Sequence, residues 1–242
     1  RISQKQYVDR TREAVTELRE KNIALERTAV EINQLNDGLL DTLAEIIDLR
    51  DPYVLGHSKR VTTYATMIAE RMGLNPKQVE LIRKGSLLHD VGKLGIAMEI
   101  LAKPGKLSTE EYEVIKSHPQ IGARLLEKNP SLRSLIAIVR HHHEFYNGQG
   151  YPDGLSGHKI PIEARIVSLA DTIEAMTSDR PYRKARKTQY IINEIKKYSG
   201  TQFDPNAVEQ AVILLESEET KEMSIKPVET LFVVQVDGNN QP

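Results

Sequence analysis

The stretch Leu87-Leu-His-Asp-Val-Gly-Lys93 sets an imidazole beside a carboxylate at the end of an apolar helical run, just before a glycine. His89 and Asp90 together suit a borderline divalent metal such as iron, manganese or zinc. Two adjacent residues cannot complete a coordination shell, so other elements must supply the rest. Histidines stand at positions 57, 89, 118, 141, 142, 143 and 158, most of them on predicted helix faces or at helix ends. Successive helices of a bundle can each present one such ligand to a common point. The candidate ligands are His57, His89, Asp90, His118, His142, His143 and Asp171. That set exceeds the need of one metal and suits two that share a bridging group. Asp90 is the natural bridge, because a carboxylate has two oxygens. Taken singly, His118 or His158 reads as an ordinary surface or capped residue, and one member of His141-His142-His143 must point away on a helix. The combination, with a helical Asp171 far along the chain, is what points to metal chemistry.

The elements that must position these groups read as helical throughout. Residues 1–50 form one long helix with a possible interruption at Asn36-Asp37-Gly38. Leu18, Leu25, Ile32, Leu39 and Ile46 recur at every seventh residue; set as heptad d, they put Val8, Val15, Asn22, Ala29, Asn36 and Leu43 at a. Such a seam, with buried asparagines, favours a parallel two-stranded coiled coil, although one amphipathic face could also pack on its own domain. The expected reading is a homodimer through this helix, carrying a signal from an upstream sensor. Val61 to Met72 forms the next helix. Asn75 and Pro76 cap and start another that ends at His89-Asp90. Ser108 and Glu111 have capping-box spacing and open a helix through His118 to Lys128. Further helices run from Leu132 to His143, from Pro161 through Asp171, and from Asp204-Pro205 to Glu216. The glycine-rich stretch 147–159 reads as an ordered, functional loop, and Thr230 to Val236 as a short strand.

Composition narrows the classes. With 33 basic and 34 acidic residues, nothing suggests a general nucleic-acid binder or a basic membrane surface. The chain has no cysteine, which removes disulfides and thiolate chemistry and fits a reducing compartment, so a cytoplasmic location is expected. No apolar run approaches the ~18 residues that span a bilayer, so no membrane contact is expected from this segment. The chain opens on Arg1 rather than Met, which reads as a piece of a larger protein.

The residues His89-Asp90-Val-Gly-Lys93, His142-His143-Glu144 and Gly150-Tyr151-Pro152 resemble the HD-GYP subfamily of HD-domain phosphohydrolases. Gly56-His57-Ser58, Lys116 to Pro119, Ala164 to Asp171, Thr177 to Arg183 and Gly200 to Pro205 support the likeness, which covers residues 38–216. It implies an all-α HD-domain bundle at 51–216, behind the coiled-coil helix at 1–50 and ahead of a tail at 217–242. It implies hydrolysis of the bacterial second messenger cyclic di-GMP to pGpG, often on to GMP, with two or three metals, commonly iron or manganese. By position it implies His57, His89, Asp90 and Asp171 around one metal, and Asp90, His118, His142 and His143 around the other. Asp90 and Lys93 would be catalytic, with Lys93, Arg180 and Arg183 holding substrate phosphates. Gly150, Tyr151 and Pro152 would meet substrate or a partner such as a diguanylate cyclase.

The bare chemistry agrees. A phosphodiester repels nucleophiles, so its charge must be neutralised, and two metals can do this while holding a bridging hydroxide. Lys93 adds a point charge, and an arginine adds a bidentate fork. Tyr53 stands where three-metal members carry glutamate, which favours two metals here. Asn147, Glu174 and Ala97 also depart from the usual pattern, but no proposed ligand is lost. The rival expectations are a weakly catalytic receptor or interaction module of the same fold, and an HD phosphohydrolase for another nucleotide ester.

Overall fold

Ten α-helices and three short 3-10 turns make up the described residues, which in this computed structural model are 4–50, 55–179 and 184–217, less the side chains of 6–8 and 11. The expectation of an all-helical fold holds: among the described residues there is no sheet, only the isolated bridges Asn147–Ser156 and Ser199–Phe203. Tyr53, Arg180, Arg183 and the strand expected at 230–236 lie outside the described residues.

Helix α1 (Gln4–Leu49) runs without the break anticipated at Asn36-Asp37-Gly38. A single glycine costs only about 1 kcal/mol in a helix, and the leucines around Gly38 are good helix formers. The chain divides into two compact units, Arg1–Leu43 and Ala44–Pro242. In the first, Val15, Leu18, Leu25, Ile32, Leu39 and Leu43 of the predicted seam are exposed. In the second, the last turns of α1 bury Ala44, Ile47 and Asp48 while Ile46 and Leu49 face outward. A helix repeats every 3.6 residues, so one stripe can pack inward while the heptad stripe stays uncovered.

Five helices build the core of the second unit. Helix α2 (His57–Arg71) starts earlier than periodicity alone suggested, at His57 itself. Asn75 caps α3 (Pro76–Leu88): its side chain accepts from the Lys77 and Gln78 N–H groups, and Gln78 closes a capping box. Against α2 and α3 lies α8 (Ile162–Thr177), buried on almost every side through Ala164, Ile166, Val167, Leu169, Ala170 and Ile173. Helices α9 (Thr188–Lys197) and α10 (Pro205–Glu216) close the cluster with Ile191, Ile192, Ile195, Ala211 and Leu214. Helix α9 is not among the helices expected from the sequence. Each fully buried Ile or Leu here contributes about 1.5–3 kcal/mol.

Of the remaining helices, α6 carries the candidate ligand His118. A four-residue turn, α4 (Met98–Leu101), leads to α5 (Thr109–Lys116), whose Ser108–Glu111 capping box forms as expected. The single helix expected from Ser108 to Lys128 is two. It breaks at Ser117, and α6 (His118–Glu127) begins afresh with Pro119 in its first turn. Proline there lacks the N–H that a continuous helix would need. The helix expected from Leu132 to His143 is likewise a 3-10 turn, Pro130–Leu135, followed by a short α7 (Ile136–His141). His142 and His143 therefore sit just beyond a helix end, where two consecutive side chains can reach the same point.

Candidate metal centre

Asp90 is the meeting point. Its Oδ1 lies 3.2 Å from His118 Nε2, and its Oδ2 lies 3.4 Å from His89 Nε2 and 2.6 Å from Lys93 Nζ. His118 Nε2 is in turn 3.2 Å from His142 Nε2, and the His142 and His143 ring centroids are 4.1 Å apart. On the other side, His57 Nε2 lies 3.3 Å from Asp171 Oδ1, and the His57 and His89 rings are 5.4 Å apart. Two ligand groups result, Asp90 with His118, His142 and His143, and His57 with His89 and Asp90; the ligand atoms of each lie within 4.8 Å of one another. Six of the seven residues singled out in the sequence fall in these groups, with Asp90 common to both, while Asp171 meets the second group through His57.

Glycine makes this convergence possible. A Cβ on Gly92 would sit 1.8 Å from the His118 carbonyl oxygen and 2.6 Å from the Gly122 nitrogen. Only a bare backbone lets the turn after Asp90 lie against the start of α6, where His118 is. No side chain could be accommodated there without moving one ligand away from the other.

The ring nitrogens are already sorted. Nδ1 of His89, His118 and His142 donates to the carbonyls of Ser86, Ile115 and Val139, at 2.6, 2.8 and 2.9 Å. A carbonyl only accepts, so each Nδ1 carries hydrogen and each ring turns Nε2, the nitrogen left to bind a cation, toward the site. His57 Nδ1 is oriented instead by Glu174, whose Oε2 lies 2.5 Å away. Glu174 is fully buried, and its other oxygen accepts from Arg60 Nε and Ser178 Oγ at 2.7 and 2.6 Å. This is the outer support that metal-binding histidines ordinarily have. In the sequence Glu174 stands out only as a departure from aspartate. The missing signal was its pairing with His57, which is 117 residues away.

These residues fit a metal. His89 Nε2 is buried with no hydrogen-bond partner, which is costly for a polar atom unless a cation takes its lone pair. The facing Nε2 atoms of His118 and His142 pose the same difficulty. The charge states agree. Burial, reinforced by neighbouring histidines, holds His142 well below the usual imidazole range and His143 down at about 3, so both rings are neutral, as a metal ligand must be. Burial alone would raise Asp90, but Lys93, His89 and His118 hold it well below the usual carboxylate range. In the metal-free protein burial likewise pushes His57 down, but Asp171 and Glu174 overrule it and lift the ring to about 10.

The loop beyond α7 is fastened to the same centre. Glu144, buried next to His143, accepts from the Asp153 and Leu155 N–H groups at 2.7 and 3.1 Å. Tyr151 N–H donates to the His143 carbonyl at 3.1 Å, and the Tyr151 ring stacks on the His143 ring at 4.9 Å. A Cβ on Gly150 would lie 2.2 Å from the Phe145 nitrogen, so that glycine is required by close backbone approach. The bond from Tyr151 to Pro152 is cis. Asp153 is gripped from the far side by Arg140 at 2.7 and 2.8 Å and by His141 at 2.9 Å. His141, the histidine of the triplet that is not a candidate ligand, thus points away as expected and holds the loop. Lys116 Nζ lies 5.8 Å from the Tyr151 ring centroid, a cation beside the centre to which the sequence alone assigns no role.

Residues 41–207 match the HD domain family. The chain belongs to the HD-domain family. Within that family it carries the HD-GYP signature at His89-Asp90 and Gly150-Tyr151-Pro152. It is 39% identical over 181 residues to the cyclic di-GMP phosphodiesterase response regulator RpfG of Xanthomonas campestris, covering 74% of this chain and 48% of that one. It is 34% identical over 194 residues to the 3'3'-cGAMP-specific phosphodiesterase 3 of Vibrio cholerae, covering 77% and 42%. Among solved structures, the cyclic GMP-AMP specific phosphodiesterase V-cGAP3 of Vibrio cholerae superposes with a TM-score of 0.58 at 19% identity, over 77% of this chain and 52% of that one. That superposition speaks for the HD-domain fold. The chain spans about half the length of the curated relatives it matches. Members of this family are metal-dependent, and the His/Asp cluster here can bind metal. No helix among the described residues is long and apolar enough to cross a membrane.

Proposed function

We propose that this chain hydrolyses cyclic di-GMP to linear pGpG at two divalent cations, iron or manganese, held by the two ligand groups that share Asp90. The sharing of one carboxylate between two clusters of imidazoles is the observation that carries this reading. Bound there, the cations would neutralise a phosphodiester and acidify a water, which is the chemistry that phosphodiester cleavage requires. His57, His89 and Asp171 would form the rest of one shell, and His118, His142 and His143 the rest of the other. Lys93, 22% exposed and anchored on Asp90 at 2.6 Å, would bring its charge to the substrate phosphate. Tyr151, stacked on His143, would offer a ring to a guanine base. Arg180 and Arg183 are proposed as further phosphate contacts on sequence alone. The exposed seam of α1 supports assembly as a parallel homodimer, and the Gly150-Tyr151-Pro152 loop is the surface for a cyclase partner.

The test is direct. Reduced, metal-loaded protein incubated with cyclic di-GMP should yield pGpG on chromatography, and the time course would report whether GMP follows. The 34% identity to a 3'3'-cGAMP-specific phosphodiesterase favours one second reading, in which the same centre prefers cyclic GMP-AMP. Parallel incubations with both dinucleotides separate the two by kcat/KM. Binding of either without turnover would leave only the receptor reading.

A further inference from the structure

Helix α2 begins abruptly. Its N-cap is Gly56, at φ +77°, and no side chain of that residue caps the first turn. The first N–H groups of a helix have no partner within it and need one from outside. Here the acceptor comes from a different helix. Asp48, one residue before the end of α1, accepts the Ser58 N–H on Oδ2 at 3.2 Å and the Ser58 hydroxyl on Oδ1 at 2.7 Å. Asp48 is 4% exposed and Ser58 is fully buried, so this is an interior clasp rather than a surface contact. A carboxylate there also meets the positive end of α2. One turn earlier, Glu45 of α1 pairs with Lys59 at 2.6 Å. Just past the helix, Arg50 Nη2 donates to the Ile96 carbonyl at 2.8 Å, three residues beyond Lys93. The residue immediately before Ser58 is His57.

We propose that Asp48 is a positioning residue for the metal centre: from the last turn of α1 it caps α2 and so fixes where His57 presents Nε2. The proposal rests on the two-cation reading above. His57 is the first residue of α2, so it has no preceding turn to hold it. Its ring is oriented by Glu174, but its backbone is set by how the helix starts. A shift of Asp48 therefore moves a ligand of one cation while leaving His118, His142 and His143 in place. The consequence is that the last turns of α1 are joined through Asp48 to the element that carries His57.

The test uses the full chain and Co²⁺ alone, followed by visible d–d absorption and by dialysis with elemental analysis. A His57→Ala chain identifies which part of the spectrum belongs to the His57 group. The wild type should take up two ions. Asp48→Ala should weaken the His57-group ion by about 10–100-fold, the usual cost of losing an outer support, and leave the other ion unchanged. Asp48→Asn should restore binding to within a few-fold, because its amide can accept from the Ser58 N–H and donate to the Ser58 hydroxyl. Equal affinities and spectra for wild type and Asp48→Ala would overturn the proposal, as would equal weakening of both ions. If Asp48→Ala fails to fold by circular dichroism, Asp48→Ser decides, since the shorter side chain cannot hold both Ser58 groups. Selective weakening of the His57-group ion supports the proposal, and unchanged binding overturns it. A wild-type chain that takes up fewer than two ions overturns the two-cation reading itself, a failure distinct from two tight ions insensitive to Asp48.

Discussion

At the scale of single residues, the chemistry turns on who holds which proton. Asp90 serves both ligand groups, so Asp90→Ala should remove more than one ligand position. We expect turnover to be abolished and bound metal to fall well below that of the wild type by elemental analysis; full activity would contradict a shared carboxylate. His57 supplies a pH signature. In the metal-free protein its pKa is lifted from 6.5 to about 10. The stability this contributes is present in full below pH 6.5 and is lost as pH rises through 10. Metal binding runs the other way, because a cation needs the neutral ring. Loading metal at pH 7 should expel at least one proton per chain. Affinity at the His57 group should rise with pH toward 10. Calorimetry in buffers of different ionisation heat reads both. Burial would push His89 down, but Asp90 overrules it and raises the pKa, which adds to the same proton release.

Among the elements, the loop after α7 shows how a flexible-looking stretch is made rigid. Glu144 accepts two of its backbone N–H groups, Asp153 is clamped by Arg140 and His141, and Gly150 lies against the backbone of His143 to Phe145. Glu144→Ala would leave the Asp153 and Leu155 amides without their acceptor. We expect faster hydrogen exchange at those two amides and kcat/KM reduced about ten- to hundred-fold, the scale of an ångström-level misplacement. The metal count should stay near that of the wild type, since no ligand is removed. Metal loss in this variant would mean that Glu144 supports His143 rather than the loop. The broken helices belong to the same logic. The restart at His118 and the early end of α7 at His141 both put ligands at helix termini, where backbone direction changes and side chains from different elements can meet.

For the whole molecule, the seam along α1 is the feature with an unmet physical demand. Leu18, Leu25, Ile32 and Leu39 are all exposed along one stripe, and an apolar stripe of that length is unfavourable in water unless covered. Wild-type protein should sediment as a dimer at micromolar concentration. The double change Leu25→Asp and Ile32→Asp should give a monomer with an unaltered melting temperature for the helical domain, because neither residue is part of its core. Dimerisation that survives both changes would place the interface elsewhere.

Much of the site was legible before any coordinates, because metal ligands are restricted to few residue types and their spacing mapped one or two to a helix. His57, His89, Asp90, His118, His142, His143 and Asp171 could be named from the chain alone, as could the caps at Asn75, Ser108 and Asp204, whose signals are local. Helix α9 was not legible: it has no capping residue at its start, and its inward residues, Ile191, Ile192 and Ile195, are few. Nor were the roles of Glu174, Glu144 and Asp48, since an acidic residue reads as solvated surface until something buries it. What each carboxylate does depends on a partner far off in sequence, and one-dimensional periodicity carries no information about such partners. Residue type and local spacing therefore settled which groups could take part. Only tertiary packing, by choosing which faces meet, decided which acids support the centre and which face of α1 stays uncovered.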